Sequence, residues 1–422
     1  MKILATADLH LGRLPTWRGG GRQELSPEMM WSSLVEEAIG EDVSALVLSG
    51  DVVHHHRAYF NVLGALEEGF TRLASAGIPV VAVAGNHDVD LMARLSDQRK
   101  EGELVVLGSD GSWESTTIVS RGGAKVDLWG TSFIREHSEE NPLKNFDETR
   151  LLEGRPCLGV LHCDRDAQGP YAPVSSGDLE RNPIQHWVLG HIHAPDPVPS
   201  SSERWALYPG SPLPFHPGEQ GAHGPLLISL DEHSGRVLGV ERKHLSPLRY
   251  ESIGVELGNM DRQSELLDGV HRSLEDACFR YREEQANLTH LNLRLEVSFE
   301  GELELEKARD DLEEALVTTD PHMSFHGVVV QVNRLALAKR REVDFEIYRG
   351  QEGPLGVLAE FENSKMEEDE TLQIFIKELR STIEKDSSRL SKEFCPELDG
   401  EDLELIIQEE ARRFALALLE QD

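Results

Sequence analysis

The chain has 422 residues, 39% of them apolar, with 42 basic against 76 acidic side chains and a formal net charge of −34. That length exceeds one core and that composition is ample for folded domains, so two or three domains are expected. No apolar run approaches the roughly 18 residues of a membrane span and no charged leader precedes one, which predicts a soluble, unexported, cytoplasmic protein with no membrane partner. An acidic body also repels phosphate backbones, so a nucleic acid would have to be held by a local patch.

In chain order, Ile3 to Ala7 is a continuous apolar run that reads as a strand covered on both faces, and Asp8-Leu9-His10 follows it. The loop Gly12 to Arg22 then carries Arg13, Arg18 and Arg22 with no acid. A helix is predicted around Pro27 to Ala38, then a strand Ala45 to Ser49 that ends in Gly50-Asp51, with His54 three places on and His55, His56 and Arg57 behind it. A second helix around Tyr59 to Ala74 leads to a strand Val80 to Ala84 and the block Gly85-Asn86-His87-Asp88. Strand pairs are expected around Thr116 to Phe133 and Pro225 to Lys243. Between them, the strand Leu158 to Leu161 ends in His162, and Trp187 to Leu189 ends in Gly190-His191-Ile192-His193. A Pro- and Gly-rich loop follows Tyr208-Pro209-Gly210-Ser211 and holds His216.

Open sheets bind ligands at the carboxyl ends of their strands, so these five blocks are expected to gather along one edge. Two aspartates, an asparagine and several histidines make an oxygen and nitrogen set that suits manganese, iron or zinc and not calcium. Two divalent ions about 4 Å apart clamp a phosphodiester, generate hydroxide and stabilise charge on the attacking and leaving oxygens. A lone Asp-x-His or His-x-His would be weak evidence, whereas five ordered blocks at strand ends leave little room for a purely structural reading. Cysteines 157, 163, 278 and 395 show no paired metal spacing and are expected to be reduced.

The DxH, GD, GNHD, H and GHxH blocks resemble those of the calcineurin-like metallophosphoesterases. That resemblance implies an α/β (α+β) fold, a two-layered mixed β-sheet sandwich flanked by helices. It implies Asp8, His10 and His193 as ligands of one ion, Asn86, His162 and His191 of the other, and Asp51 as the bridge. His87 would stand over the scissile phosphate and support the departing oxygen, work that suits an imidazole. His54 resembles the histidine of the SbcD-like and YhaO-like DNA repair exonuclease branch, where it positions substrate phosphate. The expected cofactor is two divalent ions, Mn2+ first, with Fe2+ or Zn2+ as alternatives.

From about residue 249 the pattern changes. Leu267, Val270, Leu274, Ala277 and Tyr281 share a helix face, and Leu291, Leu293, Leu295, Val297 and Phe299 alternate as in a half-buried strand whose other face carries His290, Asn292 and Arg294. A helix from about Leu303 to Val317 and a strand Val328 to Leu337 complete a small αβ unit, which by position resembles a capping domain that selects DNA shape. After a Gly-rich break, two one-striped helices pass through Leu372, Ile376, Leu379 and Ile383, then Leu403, Ile406, Ile407, Phe414 and Leu418. The expected organisation is 1–247 nuclease domain, 248–345 capping domain and 346–422 helical tail. By resemblance the tail docks on an SMC-like ATPase, SbcC-like or YhaN-like; packing onto the cap is the competing expectation.

Residues 251–422 carry a balance of −22 and residues 1–250 one of −12, so most of the excess acid lies away from the five blocks. Arg13, Arg18, Arg22 and Arg57 are candidate DNA contacts, and His216 a candidate at the rim. The leading functional expectation is a two-metal DNA nuclease, a 3′ to 5′ exonuclease with some endonuclease action, acting near the nucleoid in DNA repair and recombination. A small-molecule phosphatase or cyclic phosphodiesterase is the alternative, and a non-catalytic ATPase-holding subunit the third. The resemblance also implies a homodimer, to which no residue in the sequence points by itself.

Overall fold

A computed structural model describes residues 1–18, 24–54, 59–89, 91–167, 169–319, 323–339, 345–351, 355, 356 and 359. The elements begin with β1 (Lys2–Thr6), α1 (Pro27–Gly40), β2 (Ala45–Ser49), α2 (Tyr59–Ser75), β3 (Val80–Val83), α3 (Leu91–Asp97), β4 (Leu104–Val106), β5 (Glu114–Val119), β6 (Lys125–Thr131) and β7 (Cys157–His162). They continue with β8 (Asp164–Arg165), β9 (Pro173–Val174), α4 (Ser176–Arg181), β10 (His186–Gly190), β11 (Trp205–Leu207), β12 (Leu226–Leu230) and β13 (Val237–Arg242). The remainder are β14 (Leu248–Asn259), α5 (Gln263–Glu284), β15 (His290–Glu300), α6 (Leu305–Glu313), β16 (Met323–Phe325) and β17 (Val328–Lys339).

Two mixed sheets, ordered β13-β12-β1-β2-β3-β4 and β11-β10-β7-β6-β5, make the sandwich. β1 to β4 are parallel, as are β6, β7, β10 and β11, while β5, β12 and β13 pair antiparallel. Alternation along each run assigns the layers. Ile3, Ala5, Val47, Val81 and Val83 share a buried core with Val126, Leu128, Leu158, Val160 and Val188 of the other sheet. Leu4, Leu46, Leu48, Val80 and Ala82 turn the other way, onto Trp31 and Leu34 of α1 and Phe70 and Leu73 of α2. Trp129, Leu161, Trp187 and Leu189 are covered on their outer side by Trp113, Phe146 and Leu179. Both faces of each central strand are therefore dry, which is why these strands read as unbroken apolar runs. α1 starts where its sequence provides a cap, with the Ser26 hydroxyl accepting from Met29 N and proline in the first turn.

The αβ unit forms as a four-stranded sheet, β14-β15-β17-β16. α5 buries Leu266, Val270, Leu274, Ala277 and Tyr281, so Leu266 rather than the expected Leu267 leads its stripe. Leu291, Leu293, Leu295, Val297 and Phe299 are buried as expected, but His290 and Asn292, expected on an open face, are buried too. The physical reason is a clasp onto the loop after β1. The Trp17 and His290 rings meet edge-on at 4.9 Å. Asn292 Nδ2 donates to Gln331 Oε1 at 3.0 Å, the same Gln331 oxygen accepts Arg18 N at 3.2 Å, and Gln331 Nε2 donates to Arg18 O at 2.6 Å. The helix expected over 303–317 is α only to Glu313, and a π-helical stretch, Glu314–Thr319, continues it.

Packing groups Met1–Leu257, Asp261–Val297 and Leu303–Ala338 into one unit, and Gly258–Met260, Ser298–Glu302 and Lys339–Asp422 into a second. The first holds the sandwich and the helices described above. In the second, the described residues include a 3-10 turn, Phe345–Tyr348. The two helices predicted in the tail lie outside the described residues. Among the described residues no helix is long and apolar enough to cross a membrane.

Candidate metal centre

The strand-end blocks meet where β1, β2, β3, β7 and β10 finish. β1 and β2 stay paired beyond the sheet: Asp8 N donates to Gly50 O at 3.1 Å, His10 N to Asp51 O at 2.9 Å, and Leu11 N to Val52 O at 2.9 Å. In the second sheet Gly190 lies in register with His162. Asp8, His10, Asp51 and His191 adopt φ of 54°, 44°, 52° and 104°. Such left-handed values are uncommon for non-glycine residues and are retained where a site needs them. The glycines beside them are steric requirements. A Cβ on Gly50 would lie 2.4 Å from His162 Nδ1, and one on Gly190 would lie 1.9 Å from Ser49 O.

The side chains converge accordingly. Asp8, His10 and His193 can bring ligand atoms within 4.8 Å of one another, as can Asp8, Asp51 and His162, and His10, His54 and His87. His10 Nε2 and His193 Nε2 face each other at 3.0 Å. Asp51 Oδ2 lies 3.6 Å from His10 Nε2 and 3.5 Å from His162 Nε2, so it stands between the two groups. His162 Nδ1 donates to Ser49 O at 2.9 Å, which directs its Nε2 to Asn86 Oδ1 at 3.1 Å. His191 N donates to both Asp8 carboxylate oxygens at 3.1 Å, and its ring centre is 5.4 Å from that of His162.

Charge follows burial. Burial pushes Asp51 upward, but His162, His10 and His87 outweigh it and hold that carboxyl below its ordinary range. Burial pulls His162 down while Asp51 and Asp8 raise it, to about 9. Asp8, wholly buried, is pushed up to about 6 by burial, against the pull of His162 and His193. Burial and the neighbouring His162 take His191 down to about 4. Buried carboxylates facing buried imidazoles are costly unless a positive charge is shared among them. Their oxygen and nitrogen donors suit divalent manganese, iron or zinc, so the residues present fit the expected ions.

The remaining predicted residues fall around this centre. His87 Nδ1 donates to His54 O at 2.8 Å, the two rings stack at 5.2 Å, and the His87 side chain is 31% exposed against 2% for His10. Arg13 lies over the Phe215 ring at 4.6 Å, and Phe215 abuts both His10 and His193. Arg18 is exposed with its backbone held by Gln331. His216 is at the rim, its Nε2 3.0 Å from Glu219 Oε1. Arg22 and Arg57, with His55 and His56, lie outside the described residues.

Sequence reasoning missed two acids. Asp88, fully buried, accepts Gly85 N and Val52 N at 2.7 Å each and so locks the turns after β2 and β3 together. Burial and Asp51 raise it to about 7. It was visible as the last letter of the GNHD block. Glu219, 3% exposed, accepts His193 Nδ1 at 2.8 Å, and a lone acid in a Pro- and Gly-rich loop gave no signal of that.

Comparison with known proteins agrees with this geometry. Residues 1–195 match the family model described as calcineurin-like phosphoesterase. The chain is 26% identical over 198 residues to the uncharacterized metallophosphoesterase YhaO of Bacillus subtilis, covering 46% of this chain and 47% of that protein. It is 25% identical over 270 residues to the DNA double-strand break repair protein Mre11 of Aeropyrum pernix, covering 61% of this chain and 64% of that one. A protein of the same description from Haloferax volcanii is 25% identical over 293 residues, 65% of this chain and 59% of that protein. The chain thus spans about half to under two thirds of the length of these relatives. With five strand-end blocks gathered into one cluster and that match over residues 1–195, this segment of the chain is a calcineurin-like metallophosphoesterase domain.

Proposed function

We propose that this protein is a metal-dependent DNA nuclease that hydrolyses phosphodiesters with two divalent cations, Mn2+ in first place. The observation that carries the reading is the side-chain cluster itself: Asp8, His10 and His193 on one side, Asn86, His162 and His191 on the other, and Asp51 between them. Asp8, His10, His193 and Asp51 would hold one ion, and Asn86, His162, His191 and Asp51 the second. Bound there, the pair supplies an activated water and positive charge for a phosphoryl transition state.

The protein's own groups do the rest. Asp51 is oriented by His87 N, which donates to its Oδ1 at 2.9 Å, so the shared carboxylate and the proton-handling histidine come on one rigid turn. The bond from His87 Nδ1 to His54 O turns Nε2 toward the pocket, 4.0 Å from Asp51 Oδ2, where it can support a departing sugar oxygen. His54 stacks on that ring and steadies the phosphate. Arg13, fixed over Phe215, supplies fixed positive charge beside the pocket in an otherwise acidic chain.

DNA as substrate is supported by the relatives described as double-strand break repair proteins and by the αβ sheet clasped to the loop that carries Arg13 and Arg18. Exonuclease action from a 3′ end, a homodimer, an SMC-like ATPase partner and a place in DNA repair belong to the same proposal. With manganese present, linear duplex DNA, hairpin DNA and a bis-nitrophenyl phosphodiester should all be cut. Turnover of the small ester alone would replace this reading with a small-molecule phosphodiesterase.

A further inference from the structure

We infer that Glu219 is a positioning residue for the ligand His193, and that the loop from Tyr208 to Glu219 is the seat of one of the two cation positions. The inference rests on the two-cation reading above. Glu219 is a carboxylate with a side chain 3% exposed, and its ionic contacts are two imidazoles, His193 Nδ1 at 2.8 Å and His216 Nε2 at 3.0 Å, both on Oε1. Its other oxygen accepts Phe215 N at 2.5 Å and the Ser211 hydroxyl at 3.4 Å. A carboxyl group is buried at such cost only where its hydrogen bonds are filled, and here they are filled.

The consequence lies on the far side of the imidazole. With its Nδ1 proton donated to Glu219, His193 must turn its Nε2 lone pair away from the loop, toward His10 Nε2 at 3.0 Å. A carboxylate that takes the outer N–H of a ligating histidine fixes both tautomer and ring orientation. The same loop also grips the histidine by its backbone, since Ser211 N donates to His193 O at 3.0 Å. Gly210, at φ 75°, passes so close that a Cβ there would lie 2.5 Å from that oxygen. Phe215, held by Glu219, walls the rings of His10 and His193 at 5.8 Å from each. Side chain, main chain and wall are thus set by one segment, and the cation that His193 and His10 share should depend on Glu219 while the one at Asn86 and His162 should not.

Calorimetric titration of manganese into chelator-stripped full-length protein tests this without any turnover. Wild type should take two ions. Glu219→Ala should weaken one of them by about 10- to 100-fold and leave the other unchanged. Glu219→Gln keeps an oxygen that can accept the Nδ1 proton and should fall between the two. Melting in chelator separates this from a structural role. Unaltered uptake in Glu219→Ala overturns the inference, and so does equal weakening of both ions; a fall in the metal-free melting temperature of both variants would assign that weakening to a structural role. Absence of uptake by the wild type would instead remove the two-cation reading on which the inference stands.

Discussion

At the residue scale, His87 and Gly190 separate chemistry from architecture. His87 is more exposed than His10 and is held by its Nδ1, so His87→Ala should leave metal content intact and lower turnover by about 10²- to 10⁴-fold. Loss of the metals in that variant, measured by elemental analysis, would contradict its place at the mouth of the pocket. Gly190 has no room for a side chain, because a Cβ there would lie 1.9 Å from Ser49 O and 2.7 Å from His162 Nδ1. Gly190→Ala should therefore cost about 1–3 kcal/mol in chemical denaturation and weaken manganese binding as His162 is displaced. The candidate ligand residues could be picked out in the sequence because each block ends an apolar run. Glu219 could not, because its partner His193 lies 26 positions earlier and only the folded loop brings them together.

At the scale of elements, the clasp between the αβ sheet and the loop after β1 is the feature that pattern alone could not give. An alternating strand predicts one wet face, and His290 and Asn292 break that rule because Trp17 and Gln331 cover them. Gln331→Ala removes both bonds to the Arg18 backbone and should raise KM for duplex DNA several-fold while leaving hydrolysis of the small diester within about twofold. An equal loss on both substrates would show that the sheet does not steer DNA. A second tie joins Glu41, just past α1, to Lys2 of β1 and to Lys243, whose Nζ is 2.6 Å away. Hydrogen bonds from Lys2 and then Lys243 hold the Glu41 carboxyl below its ordinary value of 4.5. A depressed acid contributes stability above its unfolded value and loses it as pH falls through the folded one. Glu41→Gln should thus lower stability by less than about 1 kcal/mol at pH 7, and the difference should shrink progressively in melts as the pH is lowered below 4.5.

At the scale of the whole molecule, the sandwich was readable because strands dry on both faces leave no polar alternation to misread. The sheet order was not, since β4, α3 and β11 are short and weakly patterned. The charge of −34 and the scarcity of lysine, 11 against 31 arginines, fit a protein that works in concentrated salt. Activity should persist into molar potassium chloride, and an optimum at low salt would count against that. The account as a whole depends on one carboxylate being shared between two cations. Anomalous diffraction at the manganese edge, from crystals soaked in manganese, measures this directly. Two peaks about 4 Å apart with Asp51 touching both is the predicted result; a single peak, or a pair in which Asp51 touches one ion only, would contradict it.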